Sequence, residues 1–179
     1  MSYHIWMIEK WLKFESEFQR SGLRVRYEKD VHPEVKAVCK DFIRYLRKTY
    51  YFPQRVKLYV KSRRKIRAED GDLAYGIFSE AYNHRDEPYI RVATGDYLKD
   101  KERYGTVTAL CYVLETIAHE LTHYFQWVNG FEMTIKGRER QATNYTYWIM
   151  LEYYENVMKK SAMWKEILKD CGGKIEMYE

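Results

Sequence analysis

Apolar residues recur at helical spacing over the first part of the chain. Between residues 3 and 20, Ile5, Ile8, Leu12 and Phe18 repeat with Trp6 and Trp11 beside them, and Ser21-Gly22 supplies a stop. A second helix is expected from Pro33 to about Tyr50, with Pro33 in its first turn and Val35, Val38, Phe42 and Leu46 on one face. Past Pro53 the period drops to two. Val56, Leu58 and Val60 alternate with Lys57, Tyr59 and Lys61, the pattern of a half-buried strand. Two more strands are expected, Leu73 to Ser79 and Tyr89 to Ala93, joined by a polar turn at Asn83-His84-Arg85-Asp86. After Thr94-Gly95 the helical period returns. A long helix should begin near Thr106 and end at Asn129-Gly130, a favourable pair for a left-handed cap. A further helix should span Gly137 to Lys160, and a short one Ala162 to Lys169 before Gly172-Gly173. This order predicts an α+β domain with a small mixed or antiparallel sheet packed on helices.

Composition narrows the class. A chain of 179 residues with 46% hydrophobic and 32% charged residues suits one compact domain over residues 1–179, and a second core would be a squeeze. No apolar run approaches the length that crosses a bilayer. The start, MSYHIWMIEKWLKF, interrupts its apolar pattern with Glu9 and two lysines, which is unlike a secretory signal, so a cytoplasmic location is expected. Cys39, Cys111 and Cys171 are odd in number and widely spaced, which fits a reducing compartment better than a disulfide framework. Net charge is +5, and the run KSRRKIR from Lys61 to Arg67 holds five basic residues. Such a run suits nucleic acid or an acidic partner, against the plainer reading of a solvated strand end and loop.

The chemistry concentrates at residues 119 to 123, which read HELTH. Residues four apart on a helix share a face, so His119 and His123 can offer imidazole nitrogens to one ion. Leu110, Val113, Leu114, Ile117, Leu121, Tyr124 and Val128 form a stripe on the other side of that helix, so the histidines point away from the expected core. Two histidines leave Zn²⁺ with open positions, and zinc brings the pKa of a bound water to about 7. Glu120, next to the pair, is then placed to take the proton as general base. His84, alone in a polar turn, reads as a solvated histidine. Tyr112, Trp127 and Tyr147 read as packing residues more readily than as cleft or oxyanion groups.

The segment TIAHELTHYF resembles the extended pattern of zincin metallopeptidases, with uncharged residues flanking each histidine. Metzincins carry a third histidine six residues after the second, where this chain has Asn129, and no histidine follows His123. The resemblance therefore implies a carboxylate ligand, as in gluzincins. The later stretch GRERQATNYTYWIML is similar to the Glu-x-x-Ala segment of short bacterial and phage gluzincins, loosely of the ImmA/IrrE regulatory type. The likeness covers roughly Leu73 to Tyr154. It departs at Gln141, where an acidic residue is usual, and at Thr143, where some gluzincins place an aspartate that bonds a ligand histidine. It also implies a peptide lying extended along one strand edge, with Leu73 to Ser79 as that edge and Gly76 allowing close backbone approach.

The third ligand is expected to be Glu139. The acidic residues after His123 that could return to the ion are Glu132, Glu139, Glu152 and Glu155. Glu139 shares a helix face with Ala142, Thr143, Thr146, Met150 and Val157, which reads as a packing face on which an unpaired carboxylate would be costly. Glu152 and Glu155 fall opposite, with Gln141, and read as solvated; Glu132, in the loop after Gly130, is the alternative ligand. The resulting expectation is one zinc ion per chain held by His119, His123 and Glu139, with Glu120 as catalytic base for peptide-bond hydrolysis. Its rivals are an interaction protein on the same scaffold and a nucleic-acid-associated protein with little catalysis.

Overall fold

The computed structural model describes residues 4–7, 20–82 and 86–169. The helix expected over residues 3 to 20 therefore lies outside the described residues, apart from a turn at 4–7 and Arg20. His84 and Cys171 also lie outside them. The described residues form a mixed α+β fold. In chain order they are β1 (Leu23–Tyr27), α1 (Pro33–Thr49), β2 (Val56–Lys61), β3 (Ile66–Arg67), β4 (Leu73–Ala74), β5 (Gly76–Ser79) and β6 (Tyr89–Ala93). The second half is helical: α2 (Tyr97–Tyr104), α3 (Thr106–Val128), α4 (Ile135–Tyr153), a π turn at Tyr154–Met158, and α5 (Ala162–Lys169).

Local chemistry sets the helix ends. His32 caps α1, its Nδ1 accepting the Glu34 N–H at 3.3 Å, and Pro33 occupies the first helical position, where no N–H is needed. α3 stops in a two-bond left-handed cap. Gly130, at φ +64°, donates its N–H to the Trp127 carbonyl, and the Phe131 N–H reaches the Gln126 carbonyl. α4 begins two residues earlier than expected because the Thr134 hydroxyl accepts the Gly137 N–H and so serves as the cap.

The main sheet has the order β1-β2-β6-β5, with β1, β2 and β6 parallel and β5 antiparallel at one edge. The strand expected from Leu73 to Ser79 is in fact two. β4 pairs with β3 in a separate ribbon, and the chain enters the main sheet after Tyr75, whose carbonyl accepts the Ala93 N–H at 2.7 Å. Three further elements lie beyond the expected set: β1, β3 and α2. β1 does alternate Leu23, Val25 and Tyr27 with Arg24 and Arg26, but over only five residues. α2, YLKDKERY, is too polar to show a stripe.

The core lies between the sheet and α1 and α3. Val56, Leu58 and Val60 of β2 and Ile90 and Val92 of β6 are fully buried on the helix side, together with Phe42, Leu46, Leu110, Leu114 and Leu121. Each such side chain contributes about 1.5–3 kcal/mol when removed from water, so this interface fixes where α3 sits on the sheet. Trp6 seals the other side of α3: fully buried, it donates from Nε1 to the Thr122 hydroxyl at 3.1 Å, inside the HELTH segment. Cys39 and Cys111 are buried and form no disulfide, and burial pushes the Cys39 thiol up to about 12. Among the described residues, no helix is long and apolar enough to cross a membrane.

Candidate metal centre

α3 carries the stripe described above into the core, and its opposite side floors a cleft of about 910 Å³ walled by β5, α2 and α4. His119 and His123 lie on that floor, half-buried, four residues apart. Their Nε2 atoms are 3.2 Å from each other. Glu139, from the second turn of α4, closes the group, with Oε2 at 3.2 Å from His119 Nε2 and Oε1 at 3.3 Å from His123 Nε2. Taking one ligand atom from each side chain, the three lie within 4.8 Å of one another, a cluster that could close on zinc, whose bonds of about 2.0–2.1 Å set ligand atoms about 3.3–3.4 Å apart. Among the described residues these three side chains form the group with metal-ligand spacing.

The protonation of His123 follows from a buried amide that the sequence reading overlooked. Gln126, one turn on and fully buried, donates its Nε2 to the Arg138 carbonyl at 2.9 Å and to Gln141 Oε1 at 3.0 Å. A carbonyl only accepts, so the amide orientation is fixed and Oε1 must be the atom facing His123 Nδ1, at 2.8 Å. Nδ1 then carries a hydrogen, and Nε2 is the nitrogen that faces His119 and Glu139. A metal ion at this point could be held by all three side chains at once. Burial and the neighbouring His123 lower the pKa of His119 against the opposing pull of Glu139, favouring the neutral imidazole that ligates a metal.

Glu120 lies beside this group but deeper, 7% exposed. Burial pushes its carboxyl up to about 8; the Phe78 N–H of β5 opposes that shift and the Glu139 charge adds to it. β5 approaches so closely here that a Cβ on Gly76 would stand 2.6 Å from Glu120 Oε1 and 2.7 Å from the Thr116 methyl. The close approach expected of Gly76 is therefore used against the helix that bears Glu120.

Two expectations about α4 need correction. Glu139 is not on a packing face: its side chain is 56% exposed at the cleft mouth, and Thr143 behind it is exposed as well. The buried side of α4 is rotated toward Ala142, Ile149, Met150 and Tyr153, with Gln141 turned to α3. The helix mixes apolar and polar residues on every side, so its own pattern does not define the rotation. Nor is Glu152 a solvated charge, since it accepts the Tyr50 hydroxyl in a half-buried contact, whereas Glu155 is exposed and pairs with Lys159 at 2.6 Å. Glu132, the alternative ligand, is exposed in the α3–α4 loop and outside the ligand group.

The remaining candidates fall elsewhere. Tyr112 lines the cleft at 38% exposure, Trp127 packs on Phe78 and Tyr124, and Tyr147 lies exposed against Trp148. The basic run from Lys61 to Arg67 forms the end of β2, a turn and β3. Within it Lys61 lies 3.7 Å from Glu28, Arg64 pairs with Asp96 at 2.5 Å, and Lys65 covers the Tyr75 ring. Compared with known proteins, the chain matches no family, no curated protein and no solved structure.

Proposed function

We propose that the chain is a zinc-dependent metallopeptidase of the zincin type, with His119, His123 and Glu139 as metal ligands and Glu120 as the proton-transferring group. The observation that carries this reading is the convergence of His119, His123 and Glu139, with ligand atoms within 4.8 Å of one another, drawn from two helices and beside a buried carboxyl. A structural zinc site is usually closed by four protein ligands and has no use for such a carboxyl. Bound zinc would supply Lewis acidity toward a carbonyl and acidify a water molecule.

The protein's own groups account for the rest. Burial raises the pKa of the Glu120 carboxyl and so strengthens it as a base, a group suited to take a proton from water and return it to a leaving amine. Its hydrogen bond from Phe78 and the contact with Gly76 fix the carboxylate on the cleft floor. β5, the antiparallel edge strand on the cleft wall, offers main-chain groups to an extended peptide. Tyr75, Tyr104, Tyr112 and Ile135 are all exposed around the opening, a rim suited to a polypeptide.

The test is metal analysis of purified protein together with a peptide-library cleavage assay on wild type and Glu120→Gln. The expected result is about one zinc per chain in both proteins and cleavage only in the wild type. Equal cleavage by the two proteins would rule out the hydrolytic role of Glu120, and absence of any transition metal would rule out the site.

A further inference from the structure

The four strands of the main sheet have a second face, turned away from α1 and α3. Strand register places on it Arg24 and Arg26 of β1, Lys57, Tyr59 and Lys61 of β2, and Tyr89 and Arg91 of β6. Two rows result: Arg24, Lys57 and Tyr89 stand side by side, and so do Arg26, Tyr59 and Arg91. The chain has 26 acidic residues, and among the described residues none lies in a strand, so this face is not an ordinary mixture of solvated charges. Every cation of the main sheet points to this side.

Acidic residues at the rim neutralise only part of it. Lys57 pairs with Glu87 at 2.9 Å, and Lys61 lies near Glu28. Glu87 is already shared with Arg20 and Arg55. Arg24 and Arg26 are exposed and Arg91 half-exposed, and none of the three has an ion-pair partner among the described residues. The Arg91 Nε is buried without any hydrogen-bond acceptor, a donor left unsatisfied at the centre of the face.

Two aromatic rings stand among these cations. Tyr59 and Tyr89 lie on adjacent strands with ring centroids 6.4 Å apart. Lys61 sits 5.6 Å from the Tyr59 centroid, and Arg91 the same distance from that of Tyr89. Rings flanked by unpaired arginines on an open sheet suit a ligand that alternates flat π-faces with negative charges. A polyanion without bases would use the arginines and leave the rings idle, and a duplex would hide its bases from them.

We propose that this face binds single-stranded nucleic acid, with Tyr59 and Tyr89 stacking on bases and Arg24, Arg26 and Arg91 engaging phosphates. The site lies across the sheet from the metal triad, so it stands independently of the peptidase reading. It also differs from the Lys61 to Arg67 run, whose Arg64 and Lys65 are engaged on Asp96 and Tyr75.

The experiment is fluorescence anisotropy of the full chain with labelled single-stranded DNA and RNA oligonucleotides of about a dozen nucleotides, over a salt series. Three phosphate contacts should give a log affinity against log salt slope of about −2, at roughly −0.7 per contact on single strands. The triple variant Arg24→Gln, Arg26→Gln, Arg91→Gln should remove most of that slope. Tyr59→Leu and Tyr89→Leu should each weaken binding roughly five- to a hundredfold with the slope unchanged, while the phenylalanine variants keep it. Circular dichroism checks that each variant is folded. Absence of binding at low salt overturns the proposal, as does a slope unchanged in the triple variant or lost only on neutralising Arg63 and Arg67. If duplex DNA, heparin, polyglutamate or anionic vesicles bind as tightly and the leucine variants bind as well as wild type, the face is a generic basic patch and the proposal fails.

Discussion

The two halves of the candidate metal centre are held in different ways. His119 and His123 share one helix, their side chains 27% and 16% exposed, and the back of that helix is buried against the sheet and Trp6. Glu139 is 56% exposed on a different helix, near its N-terminal end. Three polar links help to fix that end: Gln126 bonded to the Arg138 carbonyl and to Gln141 Oε1, and the Arg138 guanidinium paired with Glu80 at 3.1 Å. The histidine pair is thus positioned by the core, while the carboxylate depends on a few polar contacts at the cleft mouth. A site built in this way keeps a rigid pair of ligands and places the third by tethering rather than by packing.

Substitutions can break or sharpen that contrast. The largest effect is expected from the rigid half: His119→Ala and His123→Ala should each abolish stoichiometric zinc, measured by metal analysis after dialysis against a weak chelator. Zinc retained in the double variant would place the site elsewhere. Glu139→Ala should weaken zinc affinity by orders of magnitude in a chelator competition, yet by less than loss of either histidine, while Glu132→Ala leaves it nearly unchanged. The reverse ranking would move the third ligand to the α3–α4 loop.

Glu120→Gln separates chemistry from binding. Turnover should fall about 10²–10⁴-fold with zinc content intact, since an amide cannot carry the proton. Gln126→Leu tests the tether. It leaves His123 without its Nδ1 acceptor and removes the two hydrogen bonds from Gln126 to α4, so zinc affinity should fall about 10–100-fold with little change in secondary structure. An affinity equal to wild type would show that packing alone orients His123. The smallest effect on zinc is expected for Gly76→Ala, whose methyl would displace Glu120 and lower turnover at unchanged zinc affinity. Unchanged turnover in that variant would show that Glu120 tolerates movement.

Much of this was legible where signals are dense and local. The α1 and α3 boundaries follow from Pro33 and from Asn129-Gly130, and β2 and β6 from strict alternation or a short apolar run between polar turns. α2 was invisible because it is only eight residues long and five of them are charged, and β1 because five residues of alternation are weak evidence. Gln126 had a usable signal: it stands three residues after His123, on the same helix face as the second ligand.

Sequence alone determined that His119 and His123 would meet, because both lie within one turn of one helix and helical geometry sets their separation whatever the rest of the chain does. It also determined which side of α3 would be buried, through the apolar stripe. Only the tertiary structure decided that Glu139 reaches the pair, that Glu120 is buried under β5, that Gln126 joins α3 to α4, and that cations from three strands gather on one sheet face. Each of these is a contact between segments distant in the chain, set by the rotation and register at which elements pack, and neither a residue pattern within one element nor its propensity encodes that rotation.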